Sequence, residues 1–222
     1  MASMITLTSA DGFQFPAYVA QPAGKPRGAI VVVQEIFGVN SHIRAVADGY
    51  AADGYLAIAP ALFERASPGY ETGYSAEEIA ASRELMSKVS TDDAIKDVAA
   101  SVDYVKSAGK VAVVGYCWGG TIAWLSATRI AGLACTVPYY GGQMGKYIGE
   151  TPLCPVMGHF GEQDTMPAPD QIRSLVDAHP SVTAHFYTAG HGFNCDQRGS
   201  YNAEAAALAR SRTLAFLAER VG

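Results

Sequence analysis

Short β-branched runs alternate along this chain with stretches whose apolar side chains recur every three or four residues. Residues 4–8 and 12–19 alternate or run apolar around Ala10-Asp11-Gly12, which predicts an opening antiparallel hairpin. Gly28–Val33 is a continuous run without polar alternation, as expected of a strand buried on both faces. From Ser41 to Asp53 the apolar residues Ile43, Val46, Ala47, Tyr50 and Ala51 share one helical face, and Gly54 stops it. Tyr55–Ala59 reads as the next strand, closed by Pro60. A loop rich in Gly and Pro then leads to a helix from Ser75 to about Lys88, opened by the capping box Ser75/Glu78. Asp92–Lys106 predicts another helix, with Ile95, Val98, Val102 and Val105 on one side. Strands follow at 110–114, 133–137, 155–160 and 182–187, with helices at 121–129, 168–178 and 202–220. This alternation implies an α/β fold, a mostly parallel central sheet of about eight strands with helices on both faces. No linker or internal repeat divides the chain, so residues 1–222 are expected to form a single domain.

The stretch Gly115-Tyr116-Cys117-Trp118-Gly119-Gly120 lies between a strand and a helix. A strand that turns sharply into a helix through Gly-x-nucleophile-x-Gly is a nucleophile elbow, with a strained residue presented at the top of the sheet. Serine is usual there; this chain has Cys117. A dinucleotide-binding loop would need glycine at that position for close approach of a pyrophosphate, so that reading fails. A buried, inert cysteine in a glycine-rich turn is the alternative.

Composition narrows the choice. Nearly half of the 222 residues are hydrophobic, the formal net charge is −5, and no Lys/Arg cluster marks a nucleic-acid face. No apolar run has the length of a membrane span, and the start lacks a signal-peptide pattern. The four cysteines (Cys117, Cys135, Cys154, Cys195) show neither zinc-ligand spacing nor a disulfide framework. A cytoplasmic enzyme with free thiols and no metal or organic cofactor is expected.

Active sites on parallel sheets gather in the loops after the strands. Asp164 follows one strand in Gly161-Glu162-Gln163-Asp164, and His191 follows the last in Gly190-His191-Gly192-Phe193. The order nucleophile, acid, histidine is that of an α/β-hydrolase triad. Imidazole takes the thiol proton, and a carboxylate fixes the ring tautomer and stabilises imidazolium. The alternative roles are a cap on the helix near Pro167 for Asp164 and an ordinary loop residue for His191. The other histidines fit less well: His42 and His179 sit at helix ends, His159 and His185 within strands. Glu35 and Ile36 follow the 28–33 strand, where this fold takes one oxyanion-hole amide, the other coming from the residue after the nucleophile. The donors would be the backbone N–H groups of Ile36 and Trp118. Glu35 has an alternative role as a cap for the helix near Ser41.

These residues together resemble the dienelactone hydrolase family of the α/β-hydrolase superfamily. The resemblance rests on Gln34-Glu35-Ile36-Phe37-Gly38, the 115–120 elbow, Tyr139-Tyr140-Gly141, Gly161–Asp164 and Ala189–Phe193. It implies a Cys117–His191–Asp164 triad that opens enol-lactones, such as dienelactone to maleylacetate, through an acyl-enzyme, in aromatic compound degradation. It also implies that Glu35 interacts with the resting thiol and shifts when a substrate carboxylate arrives. Arginines bind that carboxylate in the family. Arg83 matches one position and falls on the Ile79/Met86 side of its helix, although a surface role fits its spacing equally. The second position holds Cys195, and nearby Arg198 is the candidate replacement. The family's aromatic residue near Ser87 is also missing. Alternatives are a broader carboxylesterase or thioesterase with the same triad, a non-catalytic binding protein on the scaffold, and a redox sensor at Cys117. The expected partner is a small lactone or ester bearing a carboxylate, with no nucleic acid or membrane, on a monomer or small homo-oligomer.

Overall fold

The alternation at the start of the chain does form a hairpin. In the computed structural model, which describes residues 1–222, β1 (Ala2–Thr8) and β2 (Gln14–Ala20) pair antiparallel. Gly12 makes the turn at φ +85°, so the second strand begins at Gln14 rather than at residue 12.

The chain folds into two compact units, Met1–Val111 with Val221, and Ala112–Arg220 with Gly222. The first continues with β3 (Ala29–Val33), α1 (Ser41–Ala52), β4 (Leu56–Pro60), α2 (Ala76–Ser87) and α3 (Thr91–Val105). Its strands lie in the order β1-β2-β4-β3, with β2 antiparallel and β3 parallel to β4. Every residue of β3 is buried, as its unbroken apolar run requires. Helix α1 packs on β2, β3 and β4, and α3 on β1, β3 and β4. The N-cap of α1 is Asn40, whose side chain accepts the Ile43 N–H, so Glu35 does not cap this helix. Both halves of the Ser75/Glu78 capping box are present on α2.

A buried carboxylate fastens this unit. Asp97 on α3 is fully buried, accepts from the Ser9 hydroxyl, and takes Arg65 Nε and Nη2 at 3.0 and 2.7 Å. The Arg65 guanidinium also lies over the Phe13 ring at 4.2 Å. Removing one partner of such a pair strands the other charge, so Asp97→Ala is expected to cost about 3 kcal/mol. Urea unfolding would read this as a lower midpoint with an unchanged slope.

The second unit carries β5 (Val111–Tyr116) from its second residue on, α4 (Trp118–Arg129), β6 (Cys135–Tyr139), β7 (Val156–Gly161), α5 (Pro169–Ala178), β8 (Val182–Tyr187) and α6 (Ala203–Arg220). Strands β5-β6-β7-β8 are adjacent in that order and all parallel. Their carboxyl ends therefore share one edge. Helix α6 packs on β6 and β7, α5 on β8, and α4 on β6. No helix is long and apolar enough to cross a membrane.

Candidate active site

The elbow is tighter than its glycines suggest. Strand β5 runs through Tyr116, Cys117 stands alone at φ 56°, and α4 begins at Trp118 rather than Thr121. Gly119 and Gly120 thus belong to the first helical turn. A Cβ on Gly115 would collide with the Gly119 carbonyl, and one on Gly120 would lie 2.5 Å from the Tyr139 carbonyl oxygen. Side chains at either position would push α4 away from the sheet. The Cys117 N–H donates to the Tyr139 carbonyl at 3.0 Å, which ties the strained residue to the end of β6.

Three side chains from three different strand ends meet here. His191 Nδ1 lies 2.9 Å from Asp164 Oδ2, and His191 Nε2 lies 3.1 Å from Cys117 Sγ. A carboxylate accepts only, so Nδ1 carries a proton toward Asp164 and Nε2 faces the sulfur. Asp164 is buried, and its Oδ1 accepts the Met166 N–H at 2.8 Å. Helix α5 has Ala168 at its N-cap and no side-chain cap, so Asp164 does not serve as one. Burial alone would push the His191 imidazole down. Negative charge at Cys117 and the Asp164 hydrogen bond outweigh that and push it up to about 10. Cys117 is the N-cap of α4, whose first turn holds no acidic side chain, so the positive end of the helix lies at this residue.

Trp118 supplies the first amide of α4, which has no i−4 carbonyl within the helix. Glu35 and Ile36 are buried in the first unit, directly after β3. Their loop is held by Gln34, whose Nε2 donates to the Glu35 carbonyl at 3.3 Å and whose Oε1 accepts the Leu62 N–H at 3.1 Å.

The two arginines differ in their settings. Arg83 is exposed on α2, whose buried residues are Ser82 and Leu85, with Ile79 and Met86 half-buried beside Ser82. The Ser82 hydroxyl pairs with the Tyr70 hydroxyl at 2.9 Å, so a polar residue marks the inward face. Arg198 is half-buried, and its guanidinium packs on the backbone of Gly192, the residue after His191. Gly192 has φ +76°, and a Cβ there would collide with that guanidinium. Cys195 is fully buried.

Sequence reasoning gave no role to Tyr140. It is one of two non-glycine residues with positive φ (38°), and its buried ring stands edge-on to His191 at 5.1 Å. Its companion is Cys117.

The sequence profile of the dienelactone hydrolase family matches residues 15–221. The chain belongs to the dienelactone hydrolase family. A carboxymethylenebutenolidase of Pseudomonas putida is 36% identical over 225 residues, covering 96% of this chain and 95% of the relative. A crystal structure of a candidate dienelactone hydrolase from Klebsiella pneumoniae matches with a TM-score of 0.86 and 30% identity, over 99% of each chain. A dienelactone hydrolase-like promiscuous phosphotriesterase from metagenomic libraries shares the fold at a TM-score of 0.81 and 20% identity, covering 100% of this chain and 99% of its own. Eight strands, mostly parallel, alternating with helices are thus the α/β-hydrolase architecture expected from the sequence. Membership in the dienelactone hydrolase family makes this chain a hydrolase of esters or lactones.

Proposed function

We propose that the protein opens enol-lactones of the dienelactone type, through Cys117, His191 and Asp164 and a covalent acyl-enzyme. The observation that carries this reading is the hydrogen-bonded line from Asp164 through His191 to Cys117, on a strained elbow, in a member of this family. The Cys117 thiolate attacks the lactone carbonyl, and the Trp118 amide donates to the oxygen that gains charge. The ring C–O bond breaks, and the enolate leaves as the alkoxy part of the opened chain. It takes a proton and becomes the ketone of a keto acid. His191, oriented by Asp164, then removes a proton from water, and the hydroxide releases the acyl group as a carboxylic acid. The roles expected of Glu35, Ile36 and Arg83 rest on the family resemblance. Arg198, beside the backbone of Gly192, is the guanidinium we assign to the substrate carboxylate.

A broader carboxylesterase with the same three residues is favoured by two observations. Cys195 occupies the family arginine position as a buried thiol, and Arg83 points to the exposed side of its helix. Steady-state turnover of cis- and trans-dienelactone, a neutral lactone and p-nitrophenyl acetate separates the two readings. The lactonase reading predicts strong turnover of the dienelactones. Arg198→Gln should raise KM for the carboxylated lactones about tenfold or more and leave neutral esters within about threefold. Preference for the neutral esters, with Arg198→Gln silent, would discard the carboxylated substrate and keep the three-residue chemistry.

A further inference from the structure

We propose that the buried chain Tyr187–His159–Thr213–Tyr139 sets the spacing of Cys117, Asp164 and His191, and that His159 and Thr213 are positioning residues for the hydrolysis. The inference rests on the catalytic reading of those three side chains. His159, on β7, is fully buried and has a partner on each ring nitrogen: the Tyr187 hydroxyl at 2.7 Å on Nδ1 and Thr213 Oγ1 at 3.0 Å on Nε2. Thr213, on α6, lies 2.6 Å from the Tyr139 hydroxyl. At the other end Arg212 Nη1 donates to the Tyr187 hydroxyl at 3.1 Å. With Arg212 donating to the Tyr187 oxygen, a Tyr187 O–H directed at His159 Nδ1 and an Nε2–H directed at Thr213 would put every donor of this line to use.

Burial holds His159 well below the usual histidine range, and the neighbouring His185 and Arg212 act in the same direction. The His185 ring stacks on His159 at 5.6 Å, opposite it in the β7–β8 register. A group that stays neutral serves as a fixed connector rather than as a proton carrier.

The chain matters for chemistry because of what hangs on each strand it joins. The Tyr139 carbonyl takes the Cys117 N–H at 3.0 Å. The next residue, Tyr140, donates its N–H to the His159 carbonyl at 2.8 Å and sets its ring against His191. The Tyr187 carbonyl takes the Glu162 and Ala189 N–H groups at 2.8 and 2.7 Å. Gln163 N–H then donates to the Ala189 carbonyl at 3.0 Å, so the segment before Asp164 is tied to the segment before His191. Phe193 fills the space beneath, with its ring 5.4 Å from Tyr140 and 5.2 Å from Tyr187. A shift of β6, β7 or β8 against its neighbours would therefore move one member of the three away from the others.

Thr213→Val removes one hydroxyl at constant shape, and Thr213→Ser restores it. Two readouts test the inference: kcat on the best ester, and the rate of Cys117 alkylation by iodoacetamide against pH, identified by its loss in Cys117→Ala. Thr213→Val is expected to lower kcat about tenfold with KM within about threefold, since small misplacements are costly. Its alkylation profile should move up by about one pH unit, because a displaced imidazole supports the thiolate less. Thr213→Ser should return both to near wild type. Should Thr213→Val fail to fold, Tyr187→Phe deletes a single hydroxyl of the same chain and is read in the same way. A merely structural role would lower the melting temperature and leave kcat and the alkylation profile at wild-type values; that result overturns the inference. A wild type that turns over none of the esters, whose alkylation profile still moves in Thr213→Val, would sink the substrate reading and support the positioning role.

Discussion

Alanine at position 117 is expected to lower kcat/KM toward every accepted substrate by about 10⁴-fold or more. The residue stands at the top of β5 with its N–H bonded to Tyr139 and its sulfur 3.1 Å from His191 Nε2. Deleting the sulfur removes the atom that would form the acyl bond, and water would have to attack in its place. Alanine keeps the Cβ, so the strain at φ 56° is the same in both proteins and the fold should survive. Thermal melting would check this beside the kinetics. Cys117→Ser should fall between the two, because a hydroxyl gives up its proton to His191 far less readily than a thiol. Retention of more than about one per cent of wild-type activity in Cys117→Ala would place the nucleophile elsewhere.

The strand and helix order was legible because buried parallel strands carry no polar alternation and amphipathic helices carry a period. Boundaries at the elbow were not. The glycines of the hexapeptide read as room for a tight turn, with the strand expected to end at Val114 and the helix to begin at Thr121. In the structure β5 continues to Tyr116 and α4 starts at Trp118, with Gly115 held close to the Gly119 backbone and Gly120 close to Tyr139 and Gly141. On α2 the spacing that groups Arg83 with Ile79 and Met86 did not tell how far the arginine is covered, and it is exposed. The most buried positions are Leu85 and the polar Ser82, whose hydroxyl pairs with that of Tyr70, and hydrophobicity alone does not single out a serine.

The candidate triad was legible from order along the chain, since each member follows a strand. The chain around His159 was not. Its ring partners lie 28 and 54 residues away, and no local spacing joins Tyr187 and Thr213 to a histidine on another strand. One signal was available. A histidine inside an otherwise apolar strand has to find a partner for each ring nitrogen, and tyrosine and threonine on neighbouring elements are what can supply them.

Asp164→Asn is expected to lower kcat by about 10³-fold or more while leaving substrate affinity nearly unchanged. Asparagine can keep the bond from Met166 N–H, so the 161–166 turn should hold its shape. At His191 Nδ1 an amide can offer its NH₂ group instead of an acceptor, which turns the ring to the wrong tautomer. The alkaline side of the pH profile should change as well. The wild-type imidazole is held up to about 10, so imidazolium, the proposed proton donor in acylation, is lost only as pH rises toward that value. The hydrogen bond and charge of Asp164 contribute to that rise, and in the variant the alkaline limb should begin at lower pH. The sign is the same for stability. A group that binds its proton more tightly when folded contributes fully below its unfolded value, about 6.5, and loses that contribution as pH rises through its folded value. Wild type should therefore lose a stabilising contribution between about pH 6.5 and 10 that Asp164→Asn has in smaller measure. Melting temperatures of the two proteins at about pH 6 and pH 9.5 would differ more at the lower pH. An equal difference at both would mean that His191 is not held by Asp164 in the way the 2.9 Å contact implies.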